Sequence, residues 1–138
     1  MAVGFKVKFF WYQIGSGDFL HSFFSTVCCN LEGKKWGSRF PHIMNELYSG
    51  ELALEDIDIA LIEFNCIKTE LENISIDKVV WDIDDLTKKV PWGDNISDSL
   101  TNLGNYFVTS DGDDFITVFS NALEKAKKLN SSVKLESI

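Results

Sequence analysis

The chain predicts a single α+β domain, a small and mainly antiparallel sheet with helices packed on one side. Three observations lead there. Val3, Phe5, Val7, Phe9 and Trp11 alternate with period two, as a strand with one buried face does. Three later stretches repeat apolar residues at helical spacing. The length of 138 residues suits one domain, which buries roughly two thirds of its unfolded surface. The domain is expected to span residues 1–130, with 131–138 as a frayed tail.

The strand of residues 3–11 ends at "GSGD", where Ser16 or Asp18 caps a helix carrying the stripe Leu20, Phe23, Phe24, Val27 and Leu31. "EGKKWGSRFP" reads as a loop with an exposed Trp36, and Pro41 opens a short helix that runs to Tyr48 and ends at Gly50. A helix over about 55–74 lines up Ile57, Ala60, Leu61, Phe64, Ile67, Leu71 and Ile74. It carries a second apolar row, Ile59, Ile62 and Cys66, flanked by Glu55, Glu63 and Glu70. That row fits either a helix packed on two sides or a contact strip rimmed by acids. "KVVWDI" reads as a short strand with Trp81 in the core, and the stretch after it as a long irregular connection of a kind that is often functional. "NYFVTS", 105–110, is a further strand, and a last helix covers about 113–129, with Asp111 and Asp114 at its start.

Chemistry is sparse. His21 and His42 are the only histidines and neither has a partner at a motif spacing. "GSG" at 15–17 lacks the lysine and further glycines of a phosphate loop. Cys28 and Cys29 are adjacent and Cys66 is remote, which makes neither a zinc pattern nor a disulfide framework; a reducing cytoplasm is expected, with Cys28 and Cys66 acting as small apolar residues. "DIDD", 82–85, and "DGDD", 111–114, do not follow the calcium-loop pattern. No enzyme activity, cofactor or metal is expected. The N-terminal run holds lysines and no cleavage site, and no apolar run is long enough to span a membrane.

The net charge of −8 is regional: residues 51–86 hold eleven acids against Lys68 and Lys78, a balance of −9 that leaves the rest at +1. Such a field disfavours nucleic acid and suits either solubility or a basic protein partner.

The stretches "GFKVKFFWYQIGSGDFLHSFFSTV", "GKKWGSRFPHIMNELYSGEL", "DKVVWDIDDL", "PWGDNIS" and "NYFVTSDG", in that order, resemble the immunity protein 70 family of bacterial polymorphic-toxin and contact-dependent growth-inhibition systems. The resemblance runs from Val3 to about Lys128. It implies a non-enzymatic cytoplasmic protein that binds the C-terminal domain of a cognate toxin, in many such systems a nuclease. The family motifs assign no contact residues. Charge, aromatic content and loop position nominate Asp82, Asp84, Asp85, Trp92 and Asp94, with Trp36, Glu63 and Glu70. Two other classes stay open: a metal- or ligand-binding domain or enzyme using the Asp82–Asp94 loop, and an adaptor that docks a cellular protein on Ile59, Ile62 and Cys66.

Overall fold

The computed structural model describes residues 2–138. Four strands, β1 (Ala2–Val7), β2 (Phe10–Ser16), β3 (Glu51–Leu52) and β4 (Val133–Ser137), form one antiparallel sheet in the order β2-β1-β4-β3. Three helices, α1 (Gly17–Leu31), α2 (Ile57–Leu71) and α3 (Phe115–Leu129), cover one face. The α+β class, the antiparallel sheet and the one-sided helices are as the sequence predicts.

The single strand expected over 3–11 is a hairpin. Lys8 takes a φ of 52°, which turns the chain and leaves Phe9 96% exposed. The turn reverses the alternation, so Phe10 and Tyr12 share the helix-side face with Val7 and Phe5, and Trp11 falls on the open face. There the Trp11 indole lies across Gly4, where a Cβ would come within 2.5 Å of the ring. Period-two patterning continues through a two-residue turn, and this is why it hid the break.

The tail is the second correction. Residues 133–137 pair on one side with β1, Phe5 opposite Leu135, and on the other with β3, Leu52 opposite Val133. Val133 is fully buried while Lys134 is exposed, the alternation of a half-buried strand. Five residues with one strong apolar position carry too little pattern to announce an interior strand.

Phe119 of α3 ties the layers together. Its ring centroid lies 4.7 Å from Phe5 of β1, 4.3 Å from Phe64 of α2 and 5.6 Å from Phe115. Phe23 of α1 meets Phe115 edge-on at 4.9 Å and Phe107 at 5.1 Å. The helix ends follow ordinary capping. Ser16 accepts from the Phe19 amide at 3.0 Å, and Asp114 rather than Asp111 caps α3 by accepting from the Thr117 amide at 3.1 Å. Asn130, at φ 56°, closes α3 in the left-handed conformation.

Between α1 and α2, two buried glutamates do what a strand or helix would do elsewhere. Glu32, 4% exposed, accepts from the amides of Gly37, Arg39 and Phe40, each at 3.0 Å, and so shapes the 33–40 loop. Gly37 sits at φ 78° with Asn45 packed where a Cβ would stand. Glu63, 8% exposed, accepts from the amides of His42 at 3.1 Å and Ile43 at 3.0 Å, capping a π-helical turn over His42–Leu47.

Neither "KVVWDI" nor "NYFVTS" is a strand. The first follows a 3-10 turn at Ile76–Lys78 as irregular chain, and the second contributes one isolated bridge, Val108 with Asp114. Cys28 is buried as expected, but Cys66 is exposed. Among the described residues no helix is long and apolar enough to cross a membrane.

Because β4 separates β1 from β3, truncation after Asn130 leaves β3 without a partner strand and strips one side of β1. The truncated chain is expected to lose its cooperative thermal transition by circular dichroism; a melt matching the full chain would show that the last strand is dispensable.

Candidate functional site

The stretch 78–85 has no partner strand, so its backbone groups need partners elsewhere. They find them on α1. Val80 C=O accepts from the hydroxyls of Ser22 at 2.7 Å and Thr26 at 3.1 Å, and Val80 N–H donates back to Thr26 Oγ1 at 3.0 Å. Ile83 N–H donates to Ser25 Oγ at 3.1 Å, and Asn30 Nδ2 donates to Lys78 C=O at 3.0 Å. Ser22, Ser25 and Thr26 are fully buried and recur at helical spacing, one polar row on a helix whose other buried residues are apolar. A segment that reads as a strand is thus held as one, with side chains in place of a neighbouring backbone.

This anchorage brings the acidic turn over His21, one residue before the row. His21 Nε2 lies 3.1 Å from Asp82 Oδ1 and 3.7 Å from Asp84 Oδ2, while Nδ1 is 2.8 Å from Tyr48 Oη. Asp82 Oδ1 also accepts from the Asp84 amide at 2.9 Å, and Lys88 Nζ is 3.6 Å from Asp82 Oδ2. The amide of Asp84, and then His21, hold the Asp82 carboxyl below the usual aspartate range. The stability this contributes is present above an ordinary aspartate pKa and fades as pH falls through the lowered one. Burial, followed by the nearby acids, pushes the Tyr48 hydroxyl up. His21, Asp82 and Asp84 could together offer ligand atoms to a metal, all within 4.8 Å of one another, although Asp82 already has His21, Lys88 and a backbone amide.

The nominated residues separate into roles. Asp84 projects outward with its side chain 85% exposed, and Asp94 is exposed as well. Asp85 is half-buried and occupied locally, accepting from the Thr87 amide at 3.1 Å and hydroxyl at 2.5 Å. Trp92 is half-buried: its indole N–H donates to Tyr106 Oη at 2.6 Å and its ring meets Trp81 edge-on at 5.6 Å. Trp81, expected in the core, is likewise half-buried. These aromatics pin the loop, and Trp81 and Tyr106 border an open groove of about 510 Å³ whose walls also include Val80, Leu86 and Val90.

Trp36 is not the free anchor its loop suggested. It lies over Tyr48 at 5.3 Å and His21 at 6.1 Å, with its N–H donating to Met44 C=O at 2.8 Å. Glu63 is corrected outright as a contact residue, since its oxygens serve His42 and Ile43 from within. Glu70 is half-exposed and held by both guanidinium nitrogens of Arg39 at 2.8 and 2.6 Å. The row Ile59, Ile62 and Cys66 faces solvent, Ile62 at 65%, so α2 is not packed on two sides.

Sequence reasoning missed His21 and Tyr48. No spacing links positions 21, 48 and 82; the usable signal was the row of serines and threonine beside His21, which an apolar helix has no reason to bury unless something polar lies against it.

Thr26→Val keeps the shape of the side chain and removes both bonds to Val80, leaving the Val80 amide unpaired. The expected cost is about 1–2 kcal/mol, with amide exchange accelerated over 79–84 and unchanged in β1. Equal loss of protection in both regions would show that the row serves global stability only.

No curated protein and no solved structure matches the chain. The family model described as immunity protein 70 matches residues 5–135, from the centre of β1 through both buried glutamates and the anchored acidic turn to the middle of β4. The chain therefore belongs to the immunity protein 70 family and has the role of an immunity protein in a toxin system.

Proposed function

We propose that this protein binds the C-terminal domain of a cognate polymorphic or contact-dependent inhibition toxin in the producing cell's cytoplasm. It blocks the domain without catalysis. The toxin domain is a nuclease, and the acidic turn lies over or beside its basic substrate groove. The observation that carries this reading is the display of Asp84, a carboxylate 85% exposed on a turn whose backbone is fastened to α1 by buried hydroxyls. Leu86, 53% exposed, adds apolar area next to it, and Asp94 extends the negative surface. A charge held in place before contact costs little ordering on binding, while the regional field speeds encounter with a cationic partner.

The exposed row of Ile59 and Ile62 favours a second reading, in which α2 is the docking face and the acids only steer.

One experiment addresses both. The chain is co-expressed with the C-terminal domain of the exported protein encoded upstream, and growth rescue and affinity are measured for Asp84→Lys and Ile62→Asp. Asp84→Lys is expected to keep its melting temperature, weaken binding by about tenfold or more and flatten the salt dependence. Unchanged affinity for Asp84→Lys with loss in Ile62→Asp moves the interface to α2. No rescue by the unaltered chain removes this toxin as the partner.

A further inference from the structure

A second histidine stands in a setting the immunity role does not use. His42 Nδ1 lies 2.7 Å from Glu63 Oε2. That carboxylate also accepts two backbone N–H bonds, so it acts only as an acceptor and Nδ1 must carry the proton it shares. Nε2 is thereby turned away from Glu63, toward the carboxylates of Asp56, 4.0 Å away, and Glu46. A carboxylate behind one imidazole nitrogen, with the other nitrogen facing further carboxylates, is the arrangement that orients histidine for a metal.

Charge supplies an independent argument. Three carboxylates, Glu46, Asp56 and Glu63, surround one imidazole, and among the described residues no lysine or arginine pairs with any of them. Glu46 and Asp56 are both half-buried and their carboxylates lie within 4.8 Å of each other, so two like charges crowd one place. The group differs in this from His21, Asp82 and Asp84, where Lys88 already answers the charge and Asp84 faces solvent.

We propose that His42 Nε2, Glu46 and Asp56 bind a divalent transition-metal ion of the zinc class, with Glu63 as the outer partner that orients His42. The three donor atoms lie within 4.8 Å of one another. In a tetrahedral site, ligand atoms about 2.0–2.2 Å from zinc stand about 3.3–3.6 Å apart, so side-chain rotations have to draw the set in by about 1 Å. One nitrogen and two carboxylates with a water in the fourth position suit zinc, and a hard cation such as calcium or magnesium far less. His42 and Glu46 belong to the π-helical turn and Asp56 to the entrance of α2. The ion would staple that turn to the helix whose Glu63 already caps it, a structural role independent of toxin recognition.

The test is calorimetric titration of zinc chloride into the metal-stripped full chain at neutral pH, beside Glu46→Gln, Asp56→Asn, Asp84→Asn and Cys66→Ser. Glu46→Gln keeps an acceptor for the Ala53 amide, and far-UV circular dichroism verifies folding, with Asp56→Asn as the second probe of the same site. The expected result is one zinc per chain, unchanged in Asp84→Asn and Cys66→Ser and weakened at least about tenfold in Glu46→Gln and Asp56→Asn. A raised melting temperature in zinc should disappear in the same two variants. Absence of binding, binding unaltered in both Glu46→Gln and Asp56→Asn, or binding abolished by Asp84→Asn or Cys66→Ser overturns the proposal.

Discussion

The exposed side of the molecule rests on a row of hydroxyls that nobody outside can see. Ser22, Ser25 and Thr26 are fully buried, and a buried hydroxyl without a partner costs about 1–3 kcal/mol. Their partners are the backbone groups of Val80 and Ile83, which would be orphaned themselves in a segment with no strand beside it. Each set satisfies the other. The consequence reaches the surface: once Val80 and Ile83 are fixed, Asp82 between them must meet His21, and Asp84 beyond them must point outward.

The same principle recurs at the two buried glutamates. Glu32 gathers the amides of a glycine-containing loop and Glu63 those that open the π-helical turn. Both stand where regular backbone pairing fails, and both accept from several donors apiece, which offsets the cost of burying them. Three of the chain's irregular regions are therefore organised by side chains of α1, its C-cap and α2. That lets a four-stranded sheet support a domain whose longest connection, between α2 and α3, has only a 3-10 turn and one bridge of regular structure.

What was legible follows from this division. Helices α1, α2 and α3 and the strand at residues 3–7 are amphipathic, and their apolar spacing announced them. The hairpin turn at Lys8 was not legible, because alternation survives it, and β4 was not, because one buried valine is no pattern. "KVVWDI" read as a strand for a sound reason: its backbone is extended at Val79, but hydroxyl partners replace the expected strand. In the site, acidity located the 82–85 turn, yet a tryptophan's exposure and a glutamate's freedom depend on tertiary contacts. Trp36 and Glu63 were misjudged accordingly. The donors His42, Glu46 and Asp56 lie at spacings that match no ligand motif, and only folding brings them together.

Three like charges in one short turn should repel and spread the loop. They do not act as three. Asp82 is turned inward to His21 and Lys88, and Asp85 is taken up by Thr87, so Asp84 is left as the outward charge. The inward pair fixes geometry, and under the proposed toxin-binding role the remaining acid would carry recognition. Long-range attraction does not need this precision, since the surplus of residues 51–86 supplies a field wherever its members sit. On the proposed role, discrimination among toxins would need it, because a carboxylate on an anchored turn disfavours any partner that places the wrong group against it. A field that many basic proteins would feel would on that reading be narrowed to those that fit one position, and buried hydroxyls on α1 set the backbone there.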